Sequence, residues 1–107
     1  MIVRTWTGRT PIAQAEAFRE HLMATGVADY RAQPGCREAR LWRQERDGWT
    51  LFTLVSLWTD MDAIRAYAGD DPSRAVLYPG DERFGLVPDR RVEHHDLIAA
   101  EPPAPVP

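Results

Sequence analysis

Three histidines, three tyrosines, four tryptophans and a set of arginines are the side chains of this sequence that could do chemistry. His94 comes first. It lies in the run Arg91-Val92-Glu93-His94-His95-Asp96-Leu97-Ile98. The alternation reads as a strand, with Val92, His94 and Asp96 on one face and Glu93 and His95 on the other. A histidine titrates near neutrality, where general-base assistance gives roughly 10²–10⁴-fold in rate. His94 is the expected base, and Asp96, about 6.5–7 Å further along the strand, could orient it. The alternative is a histidine that bonds a neighbouring strand or a partner subunit. His21 is the second candidate base, roughly 60° round a helix from Phe18 and at the edge of a helix–sheet cleft.

The aromatics suit a slot for a flat ligand. Trp6 and Trp58 read either as its walls or as core. Tyr67 and Tyr78 could point hydroxyls at a ligand oxygen, and Arg65, one position from the apolar Ile64, could reach an anion. His21, His94 and Asp96 have the composition of a two-histidine, one-carboxylate iron site. Adjacent His94 and His95, however, point apart on a regular strand and cannot chelate. No metal and no cofactor are expected. Cys36 follows Pro34-Gly35 without a histidine partner to activate its thiol. No Gly-rich phosphate loop and no Ser-His-Asp set is present.

The elements that must position these residues read in order. Residues 2 to 7 are β-branched and aromatic, a strand ended by Gly8 and Thr10-Pro11. Thr10 is placed to cap a helix that opens with Pro11. Ala15, Phe18 and Leu22 form its buried stripe, and Gly26 breaks or ends it, with Val27 to Tyr30 as an irregular extension. Gln33-Pro34-Gly35 is a turn. Residues 37 to 45 have helical propensity, but Asp47-Gly48 is a hairpin signal before the strand 49 to 58, so 37 to 45 reads as a strand. Strand 49 to 58 is apolar on both faces, which asks for helices on one side and a second copy of the sheet on the other. Asp60 and Asp62 open a helix buried through Met61, Ile64 and Ala68 and stopped at Gly69. Asp71-Pro72 starts a further short helical turn through Val76. Tyr78-Pro79-Gly80-Asp81 is a turn, residues 91 to 98 are the last strand, and 99–107 is a disordered Pro-rich tail. The order β-α-β-β-α-β is the ferredoxin-like arrangement, an α+β domain over 1–98 with a four-stranded antiparallel sheet.

A chain of 107 residues at net charge −3 makes one domain. Its single cysteine excludes a disulfide framework. No apolar run approaches a membrane span, and no signal peptide is evident, so the cytoplasm is the default compartment. Arginines are interspersed with acids. Arg37, Arg40, Arg43 and Arg46 read as a solvated face, so neither nucleic acid nor membrane is an expected partner.

Several pieces resemble the antibiotic biosynthesis monooxygenase family over about residues 1 to 98. They are Arg4-Thr5-Trp6-Thr7-Gly8-Arg9-Thr10, Ser56-Leu57-Trp58, Ala63-Ile64-Arg65-Ala66-Tyr67-Ala68-Gly69, Tyr78-Pro79-Gly80-Asp81 and Val92-Glu93-His94-His95. The resemblance implies a homodimer of facing sheets, the dimeric α/β barrel. It also implies a cofactor-independent oxidation of a planar aromatic, polyketide-type substrate by O₂. Trp58 matches a tryptophan near the end of the third strand in the family's oxygenases, and so joins His94 as a catalytic candidate. Trp6, Tyr67, Tyr78, Arg65, His21 and Asp96 are the substrate-binding candidates. Some of those oxygenases carry an asparagine just before that tryptophan, where this chain has Leu54-Val55-Ser56. Haem-degrading relatives need an asparagine on the first strand and a histidine on the second helix, and neither is present. The alternatives are a polyketide cyclase or isomerase using the same pocket, and a non-catalytic dimeric protein that binds aromatic ligands.

Overall fold

The alternation in β3 (Trp49–Trp58) sets the layers. Its even-numbered side chains are buried and its odd-numbered ones half-buried, as a strand covered on one face requires. In the computed structural model, which describes residues 1–101, β3 is the centre of the sheet. β1 (Ile2–Pro11) pairs with it antiparallel over its whole length, from Ile2 opposite Trp58 to Pro11 opposite Trp49. β2 (Cys36–Arg46) pairs with its other edge. The hairpin turn between them has Asp47 at φ 53° and Gly48 at φ 83°, the left-handed pair that a two-residue connection needs. The segment 37–45 is thus a strand, because the turn chemistry and pairing to β3 override its helical propensity.

The fourth ribbon comes in two pieces. β4 (Val87–Pro88) pairs with Gly8 and Arg9, and β5 (Glu93–Asp96) pairs with Ile2 to Thr5, both on the free edge of β1. The sheet is therefore antiparallel with five strands, in the order β2-β3-β1 and then β4 and β5 along one edge. Pro88 has no N–H with which to continue the ladder. The chain between the pieces turns to another partner, with Ala75 N donating to Arg90 O at 2.9 Å and Val92 N to Ser73 O at 2.8 Å.

Both helical segments lie on the even face of β3. The first runs through α1 (Ala15–Leu22), a wide π turn (Met23–Val27) and α2 (Ala28–Ala32). Phe18 meets Phe52 edge-on at 5.3 Å and Tyr30 meets Trp58 at 5.5 Å, pairs each adding about 0.5–1.5 kcal/mol beyond their buried area. The second segment is α3 (Met61–Ala68), capped by the Asp60 carboxylate, which accepts from Ala63 N at 2.8 Å. Gly69 ends it at φ 90°, and Ile64 is its fully buried anchor.

Two local expectations are corrected, and a third is resolved between its alternatives. Thr10 does not cap a helix, because pairing with β3 carries β1 on to Pro11 and buries Thr10 opposite Thr50. At Gly26 the helix is interrupted rather than ended: the glycine sits inside the π turn, and the irregular extension runs on through α2. A Cβ there would stand 3.3 Å from Leu22 Cδ1 and 3.6 Å from Tyr78 Cε2, so the glycine serves a close approach. Residues 71–76 make one hydrogen-bonded turn, Arg74 N to Asp71 O at 3.1 Å, but no helix through Val76, since Arg74 bridges Arg91 and Ser73 O and Ala75 N bond the last ribbon. A short 3-10 turn at Asp81–Phe84 adds an element the sequence reading lacked.

Among the described residues no helix covers the other sheet face. Val3, Val55 and Leu57 are half-exposed there and Trp42 is 53% exposed. Arg37, Arg40, Arg43 and Arg46 are all exposed. Among the described residues no helix is long and apolar enough to cross a membrane. The tail expected to be disordered falls largely on residues 102–107, outside the described residues.

Candidate functional site

A cleft opens between the helical layer and the sheet. Its floor comes from β1 and β3 through Arg4, Trp6 and Leu54, its walls from Tyr30 and Tyr67, and its roof from residues 76–78. The cavity between the lining atoms is about 20 Å³. That is room for about one water. The cleft is therefore closed over itself, with the roof loop seated on the aromatics.

Arg4 is the group that sequence reasoning missed. Alternation along β1 turns it to the same side as Trp6, under the helices, where it is 1% exposed. Nη1 donates to the Pro72 carbonyl and to His94 Nε2 at 2.9 Å, and Nη2 donates to Arg74 O at 3.3 Å. None of these partners is a carboxylate, and among the described residues the buried Nε–H has no partner. A buried cation without a counterion is costly, and one aimed into a cleft is poised for an anion.

His94 is held by this guanidinium. Arg4 can only donate, so His94 Nε2 accepts, and the ring is neutral with its proton on Nδ1. Burial first, then the charge of Arg4, then that of His95 push its pKa below the ordinary value. The Nε2 lone pair of the expected base is thus engaged by Arg4. Asp96, on the same strand face, is exposed, and Arg4 rather than Asp96 orients the ring.

Tyr67 and Tyr78 both line the cleft, with hydroxyls 2.8 Å apart. Tyr78 Oη donates onward to Asp29 Oδ2 at 2.7 Å. Burial is the main cause that pushes both phenol pKa values far above the ordinary tyrosine range, aided at Tyr78 by the carboxylate of Asp29. Trp6 is a wall, pinned by its Nε1–H to Asp89 O at 3.0 Å. Trp58 stands behind the wall. It is 0% exposed, donates Nε1–H to Ser56 Oγ at 2.8 Å, and supports Tyr30 and Tyr67.

His21 lies beside the roof. Its Nε2 meets Asp81 Oδ1 at 2.7 Å, and Asp81 Oδ2 accepts from Tyr78 N at 2.8 Å. It stacks on Phe84 at 4.9 Å and so anchors the loop that covers the cleft. Arg65 lies outside, exposed and paired with Asp62 at 3.1 Å. Among the described residues no group of three His, Cys, Asp or Glu side chains could hold a metal. His21 and His94 are engaged by different partners. The structure therefore gathers Trp6, Tyr67 and Tyr78 at the cleft and places Trp58, His94 and His21 one layer behind it, with Arg65 and Asp96 in solvent. Asp29 and Asp81 complete it; Asp29 has no sequence signal beyond its place next to Tyr30, and Asp81 only its place in the Tyr78-Pro79-Gly80-Asp81 turn.

A family model described as antibiotic biosynthesis monooxygenase matches residues 1–77. No curated protein matches the chain in sequence. Among solved structures, an antibiotic biosynthesis monooxygenase-type protein of Deinococcus radiodurans is 16% identical with a TM-score of 0.65, covering 98% of this chain and 100% of its own. SnoaB, a cofactor-independent oxygenase from Streptomyces nogalater, is 20% identical with a TM-score of 0.56, over 95% of this chain and 98% of its own. A mutant of MhuD, with two manganese protoporphyrin IX bound per active site, is 14% identical with a TM-score of 0.64, over 96% of this chain and 100% of its own. At these identities the likeness establishes a shared fold.

Proposed function

The chain belongs to the antibiotic biosynthesis monooxygenase family, and from that premise we propose that it is a cofactor-independent monooxygenase acting on a planar, ionisable aromatic of the polyketide type. The carrying observation is Arg4, a buried guanidinium beside an aromatic cleft with no carboxylate partner and a free Nε–H. An anthrone-type substrate loses a proton to give an anion, and Arg4 is the donor that stabilises the charge where it develops. The electron-rich anion passes one electron to O₂, and the radical pair combines to a peroxide anion. Protonation and loss of water leave the quinone, so substrate plus O₂ gives quinone plus H₂O. SnoaB, of like fold, is itself a cofactor-independent oxygenase.

His94 serves here as a positioning residue, since its Nε2 holds Arg4. Trp6 and Tyr67 sandwich the ring system, and Trp58 stiffens that wall from behind. A tricyclic substrate exceeds the space for one water, so entry requires the roof at residues 76–81 to lift from its anchor on His21. A second copy of the chain covers the open sheet face at Val3, Val55 and Leu57, giving the homodimer. With one cysteine and no disulfide, the protein suits a reducing cytoplasm.

The test is oxygen uptake with a dihydroxyanthrone and no added cofactor, in air and under argon. One O₂ consumed per quinone formed supports the reading, and Arg4→Met should slow the uptake by about 10²–10³-fold. No uptake in air by the wild-type protein overturns it. Product that forms equally under argon converts it to the cyclase or isomerase reading, which the same anion-stabilising arginine would serve.

A further inference from the structure

We propose that Tyr67, Tyr78 and Asp29 form a proton wire that carries the substrate's proton out of the cleft to solvent. This rests on the reading that an acidic aromatic ionises beside Arg4, and it names the acceptor that reading needs. The direction of the wire follows from counting protons. Tyr78 has one hydroxyl proton, and it goes to Asp29 Oδ2 at 2.7 Å. The 2.8 Å contact between the two hydroxyls must then be Tyr67 donating to Tyr78. Tyr67 is left with free lone pairs on an oxygen in the cleft wall, and Asp29 at the far end is exposed. The chain therefore starts at the cleft and ends at water.

The competing acceptors are occupied. His94 Nε2 accepts from Arg4, and both oxygens of Asp81 are engaged, by His21 and by Tyr78 N. Along the wire the substrate's O–H or C–H bond breaks and its electron pair stays on the substrate beside Arg4. Its proton bonds to Tyr67 Oη while the proton of Tyr67 passes to Tyr78 and that of Tyr78 to Asp29, which releases it to water. No electron is transferred in this step, and each tyrosine ends with the single proton it began with. Burial raises both phenol pKa values, so neither hydroxyl waits as a phenolate and the three protons move together.

The experiment uses para-nitrophenol, whose phenolate is coloured, in stopped-flow mixing below the probe's own pKa. Wild type, Tyr67→Phe, Tyr78→Phe, Asp29→Asn and Asp29→Glu are compared. Bound phenolate is expected to form about tenfold or more slowly in Tyr67→Phe, Tyr78→Phe and Asp29→Asn. The equilibrium affinity should change less than about twofold, and Asp29→Glu should recover most of the rate. Asp29 is exposed, so its variants test the wire without disturbing the core. Phenolate forming equally fast in Tyr67→Phe and Asp29→Asn overturns the wire and leaves the oxygenase reading standing. A wild-type protein that binds the probe only as neutral phenol overturns both.

Discussion

Replacing Arg4 by methionine separates a catalytic arginine from a structural one. The side chain makes two close hydrogen bonds, to the Pro72 carbonyl and His94 Nε2, and a longer one of 3.3 Å to Arg74 O. Bonds to a charged group are worth about 1.5–3 kcal/mol each, so the three together contribute about 4.5–9 kcal/mol gross. Against this stands an effective burial penalty of several kcal/mol for a cation without a counterion. The two nearly offset, and methionine refills the volume. The expected loss of stability is at most about 2 kcal/mol, a melting temperature lower by no more than about 15 °C. Activity should fall much further, by about 10²–10³-fold in kcat, the usual cost of removing one oxyanion donor. Calorimetry and oxygen uptake on the same preparation make the comparison. NMR of the imidazole protons adds an independent readout. With the adjacent positive charge removed, the His94 pKa should rise toward its ordinary value, although burial still holds it down. A variant that melts far lower yet turns over normally while folded would refute the reasoning, and so would an unmoved His94 pKa.

Stability should also depend on pH through His94, whose folded pKa lies below its ordinary 6.5. Unfolded chains take up the proton first as pH falls, so stability is full above about 6.5 and declines from there down to the folded pKa. Urea midpoints at neutral and mildly acidic pH should show the drop, and His94→Gln should flatten it; an unchanged slope in that variant rejects the assignment. Gly35→Ala places a Cβ 2.3 Å from Ala63 Cβ. Overpacking of that kind costs about 1–3 kcal/mol, and a variant as stable as wild type in urea would show that the turn does not press on α3. Leu57→Glu buries a charge in the proposed subunit contact, so sedimentation should change from dimer to monomer at micromolar concentration with the far-UV circular dichroism retained. A wild-type protein already monomeric there removes the subunit contact.

Much of the fold was legible because its signals are local. The Asp47-Gly48 turn, the alternation in 49–58 and the Asp60 cap each depend on a few neighbouring residues, and each appears as read. Thr10 misled because its type fits a helix cap, while its actual place is set by pairing with a strand distant in sequence. The site followed the same division. Trp6, Tyr67 and Tyr78, singled out by residue type, line the cleft. His94 was placed on the correct face, but its partner is Arg4, 90 positions away.

From its own order of residues the chain determines the elements, their faces and an aromatic-rich interior, since periodicity and capping act within one or two turns. Only the tertiary structure decides which polar groups meet. Arg4 becomes an unpaired buried cation, His94 its neutral prop, and Tyr67, Tyr78 and Asp29 a connected row. Those properties arise from desolvation and hydrogen bonds between segments 11 to 90 residues apart, and no local pattern encodes them.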